Sequence, residues 1–503
     1  MPAQLTTKAQ VNGYRFLLRR LDHALIRRDV RMLHDPMRAQ FRSLISGAIL
    51  ALLVVAGAAI MAFIKPQGSI GNANIVMGKD SGALYVVVRD KTDKTKMTLH
   101  PTLNLASARL IAGSGESPTS VKDSKLSSVP RGPILGIPGA PAALPGTRQG
   151  DRSQWTLCDI VQLSATGGAA SSAGATTTAI AGGLELSDRM RKAESGAALL
   201  VRKGDKTYLI YDGKRAEVDP QNTVMARSLN LSGMQPRPIS TDLLGAAREV
   251  PPLVSPTIPN AGESGPGKLS NIKIGGVIRV GAADSSGSPE LYVVLSGGVQ
   301  RISSFTSVVI RNADSQGMSE IKSVPPDLLD GVPTVHSLPV DDFPAEAPKV
   351  IKAEDNPVAC ISWAKQSGAG RTETDATEGP SDRSIVTLLT GTRLPLPESA
   401  TPVALATADK TGDRIDAVYI PPSTGEYVIV TGTEPGSLRR DSLFYVADNG
   451  IRYGIPDAKT AQILGLGSTP HLAPWSIIGQ LVAGPTLSAQ DALTQRDILP
   501  TGS

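Results

Sequence analysis

The segment from Gly262 to Leu269 has the spacing of a phosphate-binding loop. It reads Gly-Glu-Ser-Gly-Pro-Gly-Lys-Leu, so that Gly262, Gly267 and Lys268 match the pattern G-x-x-x-x-G-K. In such a loop backbone N–H groups surround the phosphates of ATP, and a Ser or Thr after the lysine holds Mg²⁺. Leu269 stands at that last position, a Pro-rich stretch precedes the segment and a strand-like stretch follows it. We therefore predict a loop without a cofactor, and ATP remains only the ligand that the spacing suggests.

The other residue types that carry out catalysis or bind metals are scattered along the chain. No HExxH motif and no G-x-S-x-G motif is present, and no pair of acids stands out as a general acid and base. The histidines lack close metal-ligand spacing: His23, His34, His100, His336 and His471. We predict that the chain has no catalytic residues and no metal site, and that its function is more structural than enzymatic.

A long apolar run dominates the N-terminal part of the chain. Residues 43–64 read SLISGAILALLVVAGAAIMAFI, contain no charge and are bracketed by Arg42 and Lys65. About 20 apolar residues span a bilayer core as a helix. A cleaved signal peptide is the alternative, but its apolar part is shorter, about 7–15 residues, and its basic part is short as well. We predict one transmembrane helix, with its start near Asp35-Pro36 because Pro favours the first helical turn.

The charge balance predicts which end of this helix faces the cytoplasm. The first 42 residues contain nine Lys or Arg and three acids, whereas the rest of the chain has 42 basic and 43 acidic residues. Basic flanks stay on the cytoplasmic side of a membrane, so we expect the large C-terminal part to lie outside the cytoplasm. Because the excess basic charge belongs to the tail, it indicates anionic lipid or an acidic partner and no nucleic acid.

The basic tail itself has the pattern of an amphipathic helix. Thr7 and Gln10 have the spacing of a capping box. The apolar residues that follow recur at steps of three and four and share one face: Val11, Tyr14, Leu18, Leu21 and Leu25. Three interpretations remain open, namely a helix lying on the membrane, a helix docked on a cytoplasmic partner, and a solvated tail that only sets the topology.

The chain has two cysteines, Cys158 and Cys360, and both lie in the part expected outside the cytoplasm. An oxidising compartment permits a disulfide between them, whereas the alternative is two unpaired buried thiols. Both neighbourhoods, around Trp155 and around Trp363, have the pattern of strands. We favour a bridge, which would join distant stretches into one central core.

Four stretches of the outer part share a pattern. Each is a strand-like run that carries an aromatic residue, and three of them lead into the turns Asp212-Gly213, Gly297-Gly298 and Asn449-Gly450. The aromatic residues are Tyr85, Tyr208, Tyr292 and Phe444. Pro101, Pro220 and Pro456, and in the third copy Ser303 or Ser304, are then expected to open a short helix. We predict four repeats, each a hairpin followed by a helix.

Stretches rich in Pro, Gly, Ser, Ala and Thr separate the repeats and predict linkers at 113–150, 165–183, 251–267 and 366–383. Together these patterns give the following predicted boundaries: a cytoplasmic tail over 1–42, a transmembrane helix over 43–64, repeats over 70–112, 185–250, 270–330 and 433–466, a linker with a central-domain strand over 113–165, a central domain over 331–432 and a C-terminal segment over 467–503.

Six segments of the sequence resemble the EccB family of the mycobacterial ESX (type VII) secretion systems, most of all the member of the fifth system. They are 10–20, 28–36, the apolar run 43–64, 76–85, 103–109 and 484–488. The resemblance covers nearly the whole chain. It implies a single-pass protein of the inner membrane, with a cytoplasmic amphipathic helix and a β-rich, mixed α/β periplasmic domain of four repeat modules around a disulfide-linked central domain.

The resemblance also implies partners and a function. The partners would be EccC, EccD and EccE in a hexameric complex, the mycosin protease MycP, membrane lipid, and other copies of the chain through the periplasmic domain. The function would be that of a structural core subunit of the secretion complex. Some members of the family are described as ATPases. Two rival functions remain, an extracytoplasmic ATP hydrolase and a receptor that binds the cell envelope.

Overall fold

The structure is a computed structural model, and it divides into a unit over Met1–Ser69 and a unit over Ile70–Ser503. It describes residues 7–28, 36–64, 68–90, 92–93, 96–144, 152–163, 174–281, 289–366, 384–434 and 436–497. Most of the predicted linker 366–383 and part of the predicted linker 165–183 therefore lie outside the described residues.

The first unit contains two helices. Helix α1 spans Lys8–Arg27, and Thr7 and Gln10 form the predicted capping box, in which the backbone N–H of Thr7 donates to Gln10 Oε1 at 2.9 Å. Helix α2 spans Pro36–Ile64. It begins at the proline that the sequence predicts as its start and continues through the whole apolar run.

The second unit begins with a small sheet that we call module 1. Three antiparallel strands are followed by a helix and by a fourth strand that returns parallel to the first, in the order β3-β2-β1-β4. The elements are β1 Ile75–Gly78, β2 Leu84–Arg89, β3 Met97–Pro101, α3 Leu105–Ala112 and β4 Thr119–Val121, after which come α4 Asp123–Leu126 and β5 Ile134–Leu135.

Three strands of a central sheet precede module 2, which has the connectivity of module 1. The central strands are β6 Arg152–Val161, β7 Ala175–Ala181 and β8 Met190–Lys192. Module 2 contains β9 Ala197–Lys203, β10 Lys206–Tyr211, β11 Lys214–Glu217, α5 Thr223–Ser228 and β12 Arg237–Pro238, and it is followed by α6 Thr241–Ala246 and β13 Arg248–Val250. Strand β13 adds to the sheet beside β11.

Module 3 again places three antiparallel strands, a helix and a parallel fourth strand in one sheet. Its elements are β14 Val277–Val280, β15 Glu290–Leu295, β16 Gly298–Ile302, α7 Ser304–Ala313 and β17 Lys322–Val324. Short 3₁₀ turns flank it at Gly267–Leu269 and Pro326–Leu329, and β18 Lys349–Val350 then joins the sheet of module 2 beside β9.

The remaining central strands precede module 4 and the C-terminal segment. The central sheet is completed by β19 Val358–Gln366, β20 Ser384–Gly391, β21 Val403–Ala404 and β22 Ala417–Tyr419, in the order β21-β22-β7-β6-β19-β20-β8. Module 4 contains β23 Gly425–Thr431, β24 Leu443–Ala447, β25 Ile451–Ile455, α8 Ala458–Leu464 and β26 His471–Pro474. The last elements are α9 Trp475–Ile478, β27 Val482–Ala483, α10 Ala489–Ala492 and β28 Gln495–Arg496.

The four modules thus share one connectivity in the described residues, and the predicted hairpin-and-helix order occurs at all four places. Each of the four aromatic residues lies on the second strand of its module. In module 2 the turn residues Asp212 and Gly213 have φ values of 46° and 72°. A two-residue turn with two positive φ values matches the twist of an antiparallel hairpin.

The predicted role of the prolines is wrong. Pro101, Pro220 and Pro456 all precede the N-cap residue of their helix. The caps are Asn104, Asn222, Ser303 and Asp457, whose side chains accept hydrogen bonds from N–H groups of the first turn. An exposed N–H is satisfied by an acceptor side chain, which proline cannot supply, so these polar residues define the helix starts.

Strand pairing moves several predicted boundaries. Module 1 extends past 112 to β4, and module 4 begins with β23, inside the predicted central domain, and ends with β26, inside the predicted C-terminal segment. Strand β8 of the predicted second repeat belongs to the central sheet, and β18 of the predicted central domain belongs to module 2. These strands are short and pair with distant partners, so local pattern does not assign them.

The predicted linker at 165–183 contains a central strand. Ala175–Ala181 forms β7 and pairs along its length with β6. The run reads Ala-Thr-Thr-Thr-Ala-Ile-Ala, and its small, polar composition indicates a linker. Thr is nevertheless β-branched and favours a strand, and small side chains fit between two packed layers.

The modules pack in two pairs around the central sheet. One apolar cluster joins α3 of module 1 to α8 of module 4 through Leu110 and Leu464, and another joins module 2 to α7 of module 3 through Phe305. The largest cluster combines Trp155 and Trp363 of the central sheet with strands of modules 2 and 4. The first and last modules are therefore neighbours, although 345 residues lie between α3 and α8.

Candidate functional site: assembly surfaces, the glycine-rich loop and a buried polar joint

Helix α2 carries the apolar surface expected of a membrane span. The stretch Phe41–Ile60 has a mean hydropathy of 2.4, and none of it is buried within the chain. Large side chains such as Leu44, Leu52 and Val55 are largely exposed to their surroundings. Its small residues are Ser46, Gly47, Ala48, Ala56, Gly57, Ala58 and Ala59. A side chain at Gly47 or Gly57 would meet no neighbour, so each leaves a notch in which another helix can approach closely.

The predicted apolar face of helix α1 is not buried by the described residues. All five residues of that face are exposed: Val11, Tyr14, Leu18, Leu21 and Leu25. Phe16, Leu17 and Ile26 are further exposed apolar side chains that lie outside the face that spacing predicts. An apolar helix face gains stability only when a partner or a lipid surface covers it, so the helix is built for docking or for a membrane surface.

The glycine-rich segment has the geometry of a packed surface loop. Strand β13 lies well before it, and a 3₁₀ turn at Gly267–Leu269 takes the place of the α-helix that a P-loop would open. The ammonium group of Lys268 donates to the backbone oxygen of Asp327 at 2.9 Å and lies 4.0 Å from the carboxylate of Asp330. Lys268 thus ties the loop to the 3₁₀ turn after module 3.

The neighbours of Lys268 explain why the segment is rich in glycine. A Cβ atom at Gly265 would lie 2.6 Å from the backbone oxygen of Ile272 and 2.7 Å from that of Leu269. Gly267 has a φ of 54°, in the left-handed region that glycine adopts at low cost. Leu269 is completely buried in the core of module 3. The glycines are therefore required by close backbone packing.

Cys158 and Cys360 form the disulfide that the sequence favours. They are direct cross-strand partners on β6 and β19, and both are completely buried. Trp155 and Trp363 are partners on the same two strands. The bridge therefore lies at the middle of the central sheet and links stretches that are 202 residues apart.

A buried polar joint connects the central sheet to module 2. Asp159 of β6 accepts hydrogen bonds from the N–H of Ser240 at 2.6 Å, from the hydroxyl of Ser240 at 2.7 Å and from Thr177 of β7 at 2.9 Å. Ser240 in turn accepts the N–H of Leu243 and so caps α6. Asp416 accepts the N–H of Thr177 at 2.8 Å. The joint fixes the start of α6 against two central strands.

Burial changes the acidity of the charged groups in this joint. Burial raises the pKa of Asp159, against the opposing effect of its hydrogen bonds from Ser240 and Thr177. Burial lowers the pKa of Arg237 to about 10, although the charge of Asp159 opposes this. The guanidinium of Arg237 donates to the backbone oxygens of Asn356 and Pro357 at 2.9 and 2.8 Å, just before β19.

Asp242 is the least satisfied acid of the joint. It is 3% exposed, and its Oδ2 atom receives no hydrogen bond from the described residues. Burial, followed by the charge of Asp159, raises its pKa to about 7. Sequence reasoning missed Asp159, Arg237 and Asp242. Their only signals are single charges inside apolar surroundings, such as Trp-Thr-Leu-Cys-Asp-Ile at 155–160, and these do not identify a partner.

These features define a class of protein: a membrane protein with one candidate span among the described residues and a large β-rich unit built from modules around a disulfide-linked sheet. A family model described as Type VII secretion system ESX-1, transport TM domain B, matches residues 3–501. The chain belongs to this family, the EccB proteins of the ESX secretion systems, as its resemblance implies.

Curated relatives match along nearly the whole chain. The ESX-5 secretion system ATPase EccB5 of Mycobacterium tuberculosis is 36% identical, over 99% of this chain and 94% of that protein. The ESX-3 secretion system ATPase EccB3 of Mycolicibacterium smegmatis is 37% identical, over 98% and 92%. Because these identities are nearly equal, the greater likeness to the fifth system stays a prediction.

Solved structures of the family have the same fold. A chain in an intact ESX-5 inner membrane complex has a TM-score of 0.70 and 32% identity, and the match covers 100% of this chain and 98% of that chain. A chain of the EccB3 dimer from the ESX-3 core complex has a TM-score of 0.67 and 33% identity, and covers 84% of this chain and 100% of that chain.

Proposed function

We propose that this protein is a structural core subunit of an inner-membrane type VII secretion complex and scaffolds its periplasmic face. The observation that supports this most directly is the full-length likeness to a chain of the intact ESX-5 inner membrane complex. The exposed apolar surfaces of α1 and α2 fit such a role, because each needs a partner or lipid to cover it.

The orientation follows from charge. With nine basic residues and three acids before the span, the N-terminal tail lies in the cytoplasm and the modules lie in the periplasm. The disulfide supports this arrangement, because a compartment outside the cytoplasm lets it form and persist.

The partners follow from the family. We propose that the chain assembles with EccC, EccD and EccE, with the protease MycP, and with further copies of itself through its modules. A solved EccB3 dimer supports contacts between copies. We further propose that α1 docks on a cytoplasmic part of the complex, since its apolar face is exposed and no described residue of its own unit buries it.

A second candidate function is ATP hydrolysis. The relatives are named ATPases, and the spacing of Gly262, Gly267 and Lys268 is the sequence feature that favours this candidate. The loop geometry argues against it, because Lys268 binds the backbone of Asp327 and no α-helix follows. The structural role is therefore the better supported function.

Assembly tests the proposed function. Deletion of residues 1–34, or the single change Leu18→Glu, should remove the chain from the complex. An apolar side chain whose burial contributes roughly 2 kcal/mol would be replaced by a charge, so incorporation should fall by about tenfold or more. The measurement is the amount of tagged chain in the membrane complex on a native gel, together with identification of the co-migrating proteins.

Ala9→Glu is the matched control, because Ala9 lies on the opposite side of α1 and receives the same charge. It should assemble normally. Normal assembly of the Leu18→Glu chain would contradict docking through this face, and a chain that migrates without any other protein would contradict the role of core subunit.

A further inference from the structure

A groove of about 540 Å³ lies between the central sheet and module 2. Residues 191–194, from β8 onward, form one wall, and residues 348–352, around β18, form the other. Among the described residues each of these strands is paired on one side only, since β8 ends the central sheet beside β20 and β18 pairs with β9. The groove is therefore bounded by two strands that each have a free side.

The free side of β8 begins at Lys192. The N–H of Ala193 donates to the backbone oxygen of Leu388 before β20 is left behind, at 2.9 Å, and Met190 exchanges backbone hydrogen bonds of 2.9 and 3.1 Å with Ser187. Successive residues of an antiparallel strand alternate in the side to which their peptide groups point. The N–H and C=O groups of Lys192 therefore point away from β20.

The free side of β18 lies at Val350. The N–H groups of Lys349 and Ile351 donate to the backbone oxygens of Gly196 and Ala198, at 2.8 and 2.9 Å. By the same alternation, the N–H and C=O groups of Val350 point away from β9. Free peptide groups of this kind are what an extended peptide bonds to when it adds to the edge of a sheet.

The walls of the groove carry an excess of positive charge. Four basic and two acidic side chains line it: Arg191, Lys192, Lys349 and Lys352, with Glu194 and Asp355. All four basic side chains are exposed, and none of them forms an ion pair or a side-chain hydrogen bond with a described residue. An acidic partner would supply the missing counter-charges, whereas a second copy presenting the same edge would be repelled.

The groove also offers an apolar surface. Leu229, which is buried, and the partly buried Met234 and Val350 line it together with Ala197. Alternate side chains of an extended peptide point to opposite faces. A segment in which acidic and apolar residues alternate can therefore place apolar side chains on this surface and carboxylates near the lysines.

We propose that this groove binds an acidic, extended segment of a partner protein. The segment lies along the groove, bonds through its backbone to the free peptide groups of Lys192 and Val350, and brings carboxylates to the four unpaired basic side chains. This binding goes beyond the proposed assembly role, because it uses neither α1 nor α2.

Fluorescence polarisation with the purified full-length protein in detergent tests this proposal. The probe is a short labelled peptide of alternating Glu and Val residues, and the same peptide with Lys in place of Glu is the control for charge. Lys349→Glu should weaken binding of the acidic peptide by about fivefold or more, because it replaces an attraction by a repulsion. Lys322→Glu is the matched control and should bind like the wild type, since Lys322 is also exposed at the start of a short parallel edge strand, β17.

A third peptide separates strand addition from attraction of charge alone. It has the acidic sequence with every backbone nitrogen methylated, so that it keeps its carboxylates and loses its N–H donors. It should bind at least about tenfold more weakly than the unmodified acidic peptide.

Several results would overturn the proposal. It fails if the Lys peptide or the methylated peptide binds as tightly as the acidic peptide, or if Lys349→Glu binds like the wild type. Displacement of the acidic peptide by an equal concentration of inorganic phosphate would show a site for small anions instead. Self-association of the unliganded protein that Lys349→Glu abolishes would show that a second copy occupies the groove.

Failure of this proposal is distinguishable from failure of the assembly role. Lys349→Glu leaves α1 and α2 unchanged, so it should enter the membrane complex on a native gel as the wild type does. Peptide binding and incorporation into the complex are therefore two independent readouts on the same variant.

Discussion

The single buried carboxylate of Asp242 makes the stability of the joint between module 2 and the central sheet depend on pH. Its pKa is about 7 in the folded protein because burial disfavours the charged form, and 3.8 is the value for an exposed aspartate. Between these two pH values the unfolded chain loses its proton while the folded protein keeps it. The contribution of Asp242 to stability is therefore fully present below about pH 4 and is lost as pH rises to about 7.

We predict that Asp242→Asn makes the protein more stable than the wild type at pH 7.5 and that the difference shrinks toward pH 4. The shift in pKa corresponds to about 4 kcal/mol at most, and less to the extent that water reaches the carboxylate. The measurement is the urea midpoint of both proteins between pH 4 and pH 8. A difference that does not change with pH would show that the carboxylate ionises equally in both states.

At this scale the sequence predicts much less than the structure shows. Cys158 and Cys360 were paired correctly, since a chain with two cysteines permits one bridge. Asp159 and Ser240 meet across 81 residues, and the contact depends on how α6 lies against the central sheet. Periodicity describes what neighbours in sequence share, so it does not report a contact of this kind.

Among the elements, the glycine-rich loop is the one whose sequence and geometry point to different functions. Its spacing fits a phosphate-binding loop, whereas its contacts are those of a loop packed on module 3. The lysine explains the difference, because its ammonium group is bound to a backbone oxygen of the next 3₁₀ turn.

We predict that Lys268→Ala leaves any ATP hydrolysis by the purified full-length protein unchanged and lowers stability by no more than about 1 kcal/mol, the usual contribution of one exposed hydrogen bond. Phosphate release and urea unfolding measure the two effects. Lys273→Ala, a nearby exposed lysine, is the matched control. Loss of hydrolysis in Lys268→Ala alone would establish a nucleotide site in this loop.

The modules show which elements local sequence predicts. Hairpins with Asp212-Gly213 or Asn449-Gly450 turns are found where expected, because those residues favour the backbone of a tight turn. The fourth strands of the modules were missed, among them β4 and β12. They have two to four residues and pair in parallel with a strand that precedes the helix, so their partner and not their own composition defines them.

For the whole molecule, the arrangement of modules depends on contacts between distant parts of the chain. Modules 1 and 4 pack together, β28 pairs with β5, and the central sheet combines strands from 152–192 and 358–419. The number of modules and the span follow from local pattern. The pairing of modules is decided by which apolar faces meet, and one sequence does not report that.

We predict that replacing both cysteines, Cys158→Ala with Cys360→Ala, strongly lowers the stability of the unit over Ile70–Ser503. The bridge closes a loop of 202 residues, and the loop-entropy account gives about 5 kcal/mol for a loop of that size. For a unit of this size the melting temperature should fall by about 5 °C. Differential scanning calorimetry measures the melting temperature of both proteins. Reductant should lower the melting temperature of the wild type by the same amount and leave that of the double variant unchanged. Equal melting temperatures would show that the central sheet is stable without the bridge.

The disulfide also limits how far the protein can be stretched. A protein that is anchored in a membrane at one end is stretched when a partner bound near its other end moves away, and the chain lengthens as it unfolds. All residues between Cys158 and Cys360 are shielded from such a force, because the bridge carries it directly from β6 to β19. At about 3.5 Å for each extended residue, this loop would measure roughly 700 Å, and none of that length is added when the protein is pulled. Modules 2 and 3 lie entirely within that length, so a pulling force would extend modules 1 and 4 and leave the other pair folded.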